Sequence, residues 1–212
     1  MTEHAFEPMR RAMVASQLRT TGVNDPRVIA AMGEVARERF VPEARRALAY
    51  ADALVPLGGG RALNPPMALG RLLTEARLTG GERALVIGAG TGYSAAVLER
   101  LVAEVVALEE DPDLIARAKA AGVTLVRGPL AKGWAKAAPY DFILIDGAVE
   151  HVPQAIVSQA ADGGRIAFGL AERDVTRLAI GRVVAGAFGV TIFADAAAAI
   201  LPGFDRTRGF SF

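Results

Sequence analysis

From residue 83 onward, short continuous apolar runs alternate with stretches in which apolar residues recur at helical spacing. The first pattern belongs to buried strands and the second to helices with one buried face. The runs at 84–87, 104–109, 123–128, 140–147 and 163–170 predict strands. The intervening stretches at 92–102, 111–122, 131–138 and 153–161 predict helices. Such alternation implies right-handed crossovers and a parallel sheet with helices on both faces. Ahead of residue 83 the pattern differs. Met9, Met13, Val14 and Leu18 share helical spacing within 8–20, and Asn24 or Asp25 offers an N-cap to a second helix with Pro26 in its first turn. Residues 37–66 mix proline, glycine and aromatics, which predicts an irregular layer, before "MALGRLLTEARL" (67–78) resumes a helix. At the other end "RLAIGRVVAG" (177–186), "GVTIFADA" (189–196) and "AAILPGF" (198–204) read as strands joined by short glycine-bearing turns, hence an antiparallel edge.

Composition narrows the function classes. The 212 residues, 52% of them hydrophobic, suit a single domain over 1–212, with 1–80 as a helical extension and 81–212 as the core. Lysine and arginine number 24 against 23 acidic residues, so net charge gives no argument for a nucleic-acid or membrane partner. With no cysteine and only His4 and His151 as histidines, disulfides and thiolate zinc sites are excluded and a histidine-rich metal centre is not expected. The charged N-terminus lacks the apolar core of a signal peptide, and a cytoplasmic location is expected.

The chemistry concentrates in "RALVIGAGTGYSAAVLERL" (83–101), a strand, a glycine loop and a helix. After the first strand of an open parallel sheet, such a loop occupies the usual ligand position. Its spacing is G-x-G-x-G, through Gly88, Gly90 and Gly92. Tyr93 stands where a dinucleotide fingerprint has its last glycine, which argues against nicotinamide or flavin. Glu109 ends the next strand, where a carboxylate can accept hydrogen bonds from both hydroxyls of an adenosine ribose. The alternative reading makes the glycines a tight turn and places Glu109, with Glu110 and Asp111, in a solvated capping cluster.

These residues, with "MVASQLRTTGVNDPRVIAAMGEVARERFVP", "LAYADALVPLGGG" and "APYDFILIDGAVEHVPQAIVSQAADGGRI", resemble the protein-L-isoaspartate O-methyltransferase family across about residues 9–170. The resemblance implies an α/β, Rossmann-like methyltransferase fold: a mostly parallel seven-stranded sheet, an antiparallel C-terminal strand pair and an N-terminal helical extension. It also implies S-adenosyl-L-methionine as cofactor, held by Gly88, Ala89, Gly90, Gly92, Tyr93, Glu109, Pro129 and Leu130. The implied partners are isoaspartyl-containing proteins or peptides, or another carboxylate acceptor. Methyl transfer to a carboxylate needs no base, because the acceptor is already ionised at neutral pH; alignment and exclusion of water carry the catalysis. The family's "GQTIS"-type segment reads "GRALN" here, so its threonine and serine fall on Ala62 and Asn64, and Asn64 becomes the candidate catalytic residue. Arg61 beside them supplies a cation able to attract a carboxylate. An acidic residue of the family's first motif falls on Val86, and the aspartate that contacts the adenine amine falls on Pro129. These changes motivate two alternatives: a degenerate member acting as a binding protein, and a methyltransferase for a different acceptor.

Other residues have plainer readings. Asp146, ending "DFILID", reads equally as a catalytic group or a turn cap. His151 reads as a partly exposed helix cap, Trp134 as packing against the sheet edge, and Tyr50 and Asp52 as packing and capping residues.

Overall fold

The structure, a computed structural model, describes residues 5–173 and 175–206; His4 lies outside them. The N-terminal stretch is helical as its spacing predicts, but in three registers: α1 (Glu7–Met13), a π-helical turn over Val14–Leu18 and a 3-10 turn over Arg19–Thr21. The second helix, α2 (Pro26–Glu34), starts from Asp25, whose side chain accepts from the Arg27 backbone N–H at 2.8 Å. The irregular layer contains two 3-10 turns and a small hairpin, β1 (Val55–Gly58) with β2 (Arg61–Leu63). Helix α3 (Pro66–Ala76) follows, and Asp52 accepts from the Met67 backbone N–H in its first turn.

Then comes the alternating region: β3 (Arg83–Ile87), α4 (Tyr93–Leu98), β4 (Glu104–Glu109), α5 (Pro112–Ala120), β5 (Val126–Arg127), β6 (Tyr140–Val149), α6 (Gln154–Val157) and β7 (Ala160–Glu172). The long strands β8 (Val175–Val184) and β9 (Ala187–Asp195) close the sheet, whose order is β5-β4-β3-β6-β7-β8-β9. The first five strands in that order run parallel; β8 is antiparallel to both β7 and β9. Period-two alternation sorts the strand side chains between two cores. Val86, Leu144 and Ala167 face the N-terminal layer with α3 and α4, whereas Leu85, Ile143, Ile145 and Ile166 face α6. Both faces of β3 and β6 are therefore covered, which is why these strands read as unbroken apolar runs.

Several predicted bounds shrink. The strand expected over 123–128 pairs only at Val126–Arg127, the helix from 92 ends at Leu98, and 131–138 resolves into 3-10 turns at Leu130–Lys132 and Ala135–Ala137. The largest correction concerns 198–204. Rather than extending the antiparallel edge, this segment crosses the carboxyl end of β6, making a parallel bridge between Ala148 and Ile200. Pro202 has no N–H to donate to a ladder, and Ala198, Ala199, Leu201 and Phe204 instead bury themselves over the sheet end. No helix among the described residues is long and apolar enough to cross a membrane.

Candidate active site

Strand order reverses between β3 and β6, and open α/β sheets bind ligands outside the carboxyl ends of their strands at such a point. The sequence places its chemistry there: Gly88 follows β3, Glu109 ends β4, and Asp146 lies in the carboxyl half of β6. Gly90 adopts φ +56°, a left-handed conformation that favours glycine.

The N–H groups of Gly88, Ala89, Gly90 and Gly92 are all bonded within the chain. Those of Gly88 and Ala89 both donate to the Leu108 carbonyl at 3.0 Å, that of Gly92 donates to Ala89 at 2.8 Å, and that of Gly90 donates to Glu109 Oε2 at 2.7 Å. Glu109 is fully buried. Its Oε1 accepts from Arg61 Nη1 at 2.7 Å and from the backbone N–H groups of Glu110 and Asp111 at 2.9 and 3.2 Å. A carboxylate offers about four lone-pair sites. Oε1 is filled by three donors, and Oε2, which accepts only from Gly90, keeps one acceptor site; a diol that needs both oxygens therefore meets Arg61 at Oε1.

The carboxylate that Arg61 attracts is thus Glu109 itself. Arg61 also donates through Nη2 to the Gly88 carbonyl at 3.0 Å. A Cβ built on Gly88 would stand 2.9 Å from Leu201, and one on Gly147 would stand 2.6 Å from both Leu201 Cγ and the Ala199 carbonyl oxygen. Leu201 therefore fills the crevice between the ends of β3 and β6. The residues that would hold a nucleoside cofactor, the glycine loop and Glu109, are gathered here, with Arg61 and Leu201 packed against them.

Asn64 lies at this same cleft with its amide committed internally. Nδ2 donates to Asp146 Oδ1 at 2.7 Å, and Oδ1 accepts from the Ala199 backbone N–H at 2.8 Å. Burial raises the pKa of Asp146, against the hydroxyl of Ser94, the Asn64 amide and the guanidinium groups of Arg61 and Arg37. Tyr93 is buried at the start of α4, with the Arg37 guanidinium 4.7 Å from its ring centroid and the Phe40 ring edge-on at 5.6 Å. Ala89 is buried. Beyond the end of β5, Pro129 precedes the 3-10 turn, and Leu130 is buried among the apolar residues of the α6 face. Trp134 packs over Gly128, a Cβ on which would stand 3.4 Å from the indole.

Arg37 is the residue sequence reasoning missed. Completely buried, it donates through Nε to the Ala49 carbonyl at 2.6 Å and through Nη2 to the Asn64 carbonyl, fixing the backbone of the 61–64 segment from below. Nothing in "RERFVP" distinguishes it from its exposed neighbour Arg39. Tyr50 donates to Glu38 and accepts from Arg10 Nε at 3.0 Å, as a packing residue would. His151 is partly exposed, but it caps nothing: α6 begins from Pro153 without a side-chain cap.

A family model described as Protein-L-isoaspartate(D-aspartate) O-methyltransferase matches residues 9–180. The chain is 41% identical over 169 residues to a protein-L-isoaspartate O-methyltransferase 1 from Rhodopseudomonas palustris (strain HaA2), covering 76% of this chain and 69% of that one. It is likewise 41% identical to a protein-L-isoaspartate O-methyltransferase 2 from Anaeromyxobacter sp. (strain Fw109-5), covering 76% and 70%. Among solved structures, a protein-L-isoaspartate O-methyltransferase superposes with a TM-score of 0.80 at 23% identity, over 92% of this chain and 66% of that chain. A Plasmodium falciparum structure described as a complex with S-adenosyl-L-homocysteine superposes at 0.73 with 16% identity, over 92% and 97%. These two structural likenesses concern the fold.

Proposed function

The chain belongs to the protein-L-isoaspartate(D-aspartate) O-methyltransferase family, and from that premise we propose that it transfers a methyl group from S-adenosyl-L-methionine to the side-chain carboxylate of L-isoaspartyl residues in proteins or peptides. One observation carries the reading beyond family membership: the Glu109 carboxylate, at the end of β4, is hydrogen-bonded to the Gly90 N–H inside the glycine loop that opens α4. Acid and loop thus lie together beside the point where strand order reverses, the place where open α/β sheets bind ligands, which supports a nucleoside site here.

The acceptor chemistry matches what surrounds this unit. A carboxylate acceptor is ionised at neutral pH, so the protein's task is to align it and keep water away. The cleft is walled by buried groups: Asn64, Tyr93, Leu201 and the Arg37 guanidinium below. The Asn64 amide there is a donor of the kind that orients a carboxylate.

The test is calorimetric titration of the purified chain with S-adenosyl-L-methionine and S-adenosyl-L-homocysteine, followed by radiolabelled methyl transfer to matched isoaspartyl and aspartyl peptides. Saturable binding with label incorporated only into the isoaspartyl peptide is the expected result. Cofactor binding without transfer to either peptide would move the acceptor to a different carboxylate.

A further inference from the structure

We propose that Arg61 and Leu201 form a latch that holds the cofactor cleft shut, and that the cofactor enters only when Arg61 leaves Glu109 and the 198–204 segment lifts from the end of β6. The proposal rests on the methyltransferase reading above and deepens it.

Three observations converge on it. First, the Arg61–Glu109 pair is shut away from solvent on both sides, with 6% and 0% of the side chains exposed, and Arg61 shares Oε1 with the backbone N–H groups of Glu110 and Asp111. A ribose diol that bridges both oxygens must displace this guanidinium from Oε1. Second, Leu201 lies against both Gly88 and Gly147, so it stoppers the crevice at the reversal of strand order rather than merely covering its rim. Third, the two parts are joined. Arg61 and Asn64 belong to the same short segment, and Asn64 Oδ1 accepts from Ala199, while Ala199 and Leu201 are held by reciprocal backbone bonds to Ala148 at 2.7 and 2.9 Å. Moving Arg61 out therefore strains the tie to the segment carrying Leu201.

A buried ion pair of this kind is a poor source of net stability, since desolvation offsets much of the attraction. Its cost of opening is set against a ligand that replaces the same hydrogen bonds. The apparent affinity for the cofactor is then the intrinsic affinity multiplied by the fraction of open molecules, so weakening the closed form tightens binding without adding any contact to the ligand. This distinguishes a latch from an ordinary lining residue, whose removal weakens binding.

The experiment measures S-adenosyl-L-homocysteine affinity by calorimetry on the full chain, on Arg61→Ala and on Leu201→Ala, with thermal unfolding by circular dichroism to confirm that each variant is folded. Glu109 keeps three backbone donors in Arg61→Ala, and Leu201→Ala leaves the ion pair untouched, so one variant remains informative if the other unfolds. In parallel, amide hydrogen exchange of Ala199 and Leu201 is followed in the unsubstituted chain with and without S-adenosyl-L-homocysteine. The expected results are about tenfold tighter binding for Arg61→Ala, a severalfold gain for Leu201→Ala, and faster exchange at both amides when the ligand is present. Weaker or unchanged binding in both folded variants, with those amides still protected in the complex, overturns the latch and leaves the methyltransferase reading intact. If neither the unsubstituted chain nor either variant binds the ligand, the latch and that reading fall together.

Discussion

Asn64 Nδ2 lies 2.7 Å from Asp146 Oδ1, although the two residues are 82 positions apart, and the same amide accepts from Ala199 on its other side. One side chain thereby joins the hairpin segment, the central strand β6 and the C-terminal crossing. Asn64→Ala would leave a largely buried carboxylate and a buried N–H each short of a partner, for an expected loss of about 2 kcal/mol in unfolding free energy. Urea denaturation of the two proteins checks this; a loss below about 0.5 kcal/mol, the range of inert surface changes, contradicts the joint's importance.

Asp146 gives the protein a pH dependence of defined sign. Burial raises its folded-state pKa above the ordinary 3.8, so between that value and the raised one the folded chain binds more proton than the unfolded chain. Stability from this group is complete at the acidic end of the window and is lost as pH rises through the folded-state pKa. Asp146→Asn removes the titration while retaining an acceptor for Asn64. The variant is expected to gain stability relative to the parent as pH increases from about 4. Parallel stability curves for the two proteins across pH 4–7 would rule this out.

At Gly90, φ is +56° and a Cβ would stand 3.2 Å from Leu57 Cδ1. A β-branched residue tolerates neither the dihedral nor the contact, and Gly90→Val is expected to cost about 1–3 kcal/mol of stability. Its displaced N–H would also leave Glu109, so S-adenosyl-L-homocysteine binding is expected to vanish in the folded variant. Retained affinity would refute the assignment of the loop.

Glu109→Ala strands the buried Arg61 guanidinium without its carboxylate. Removing one partner of a buried pair typically costs about 3–5 kcal/mol, so a marked fall in melting temperature is expected along with loss of S-adenosyl-L-homocysteine binding. A variant as stable as the parent would show the pair to be open to water in solution.

The double substitution Ala62→Thr, Asn64→Ser supplies the hydroxyls that the family's segment carries and unties Ala199 at the same time. Since a misplacement of about 1 Å can cost on the order of a hundredfold in rate, the unsubstituted chain is expected to methylate isoaspartyl peptide poorly and the double variant better. Radiolabelled transfer measures both. Efficient transfer by the unsubstituted chain with no gain in the variant makes Asn64 a competent donor as it stands.

The sequence by itself determined the sheet and the place of its chemistry. Unbroken apolar runs at 84–87 and 142–145 had to lie where both faces are covered, and the glycines after the first run had to turn the chain at its carboxyl end. These are local signals, carried by consecutive residues. What only the tertiary structure decided is which groups meet in the cleft. Arg61 and Glu109 are 48 positions apart, and Asn64 and Ala199 are 135 apart. No periodicity encodes either meeting. The apolar, proline-bearing run "AAILPGF" satisfies strand patterning as well as any edge strand, yet its burial is better served across the end of β6, where Leu201 finds a crevice lined by two glycines. Arg37 and Arg39 look alike in sequence because burial depends on the packing of the whole layer, and only that packing turns the first into a structural pin beneath the Asn64 backbone.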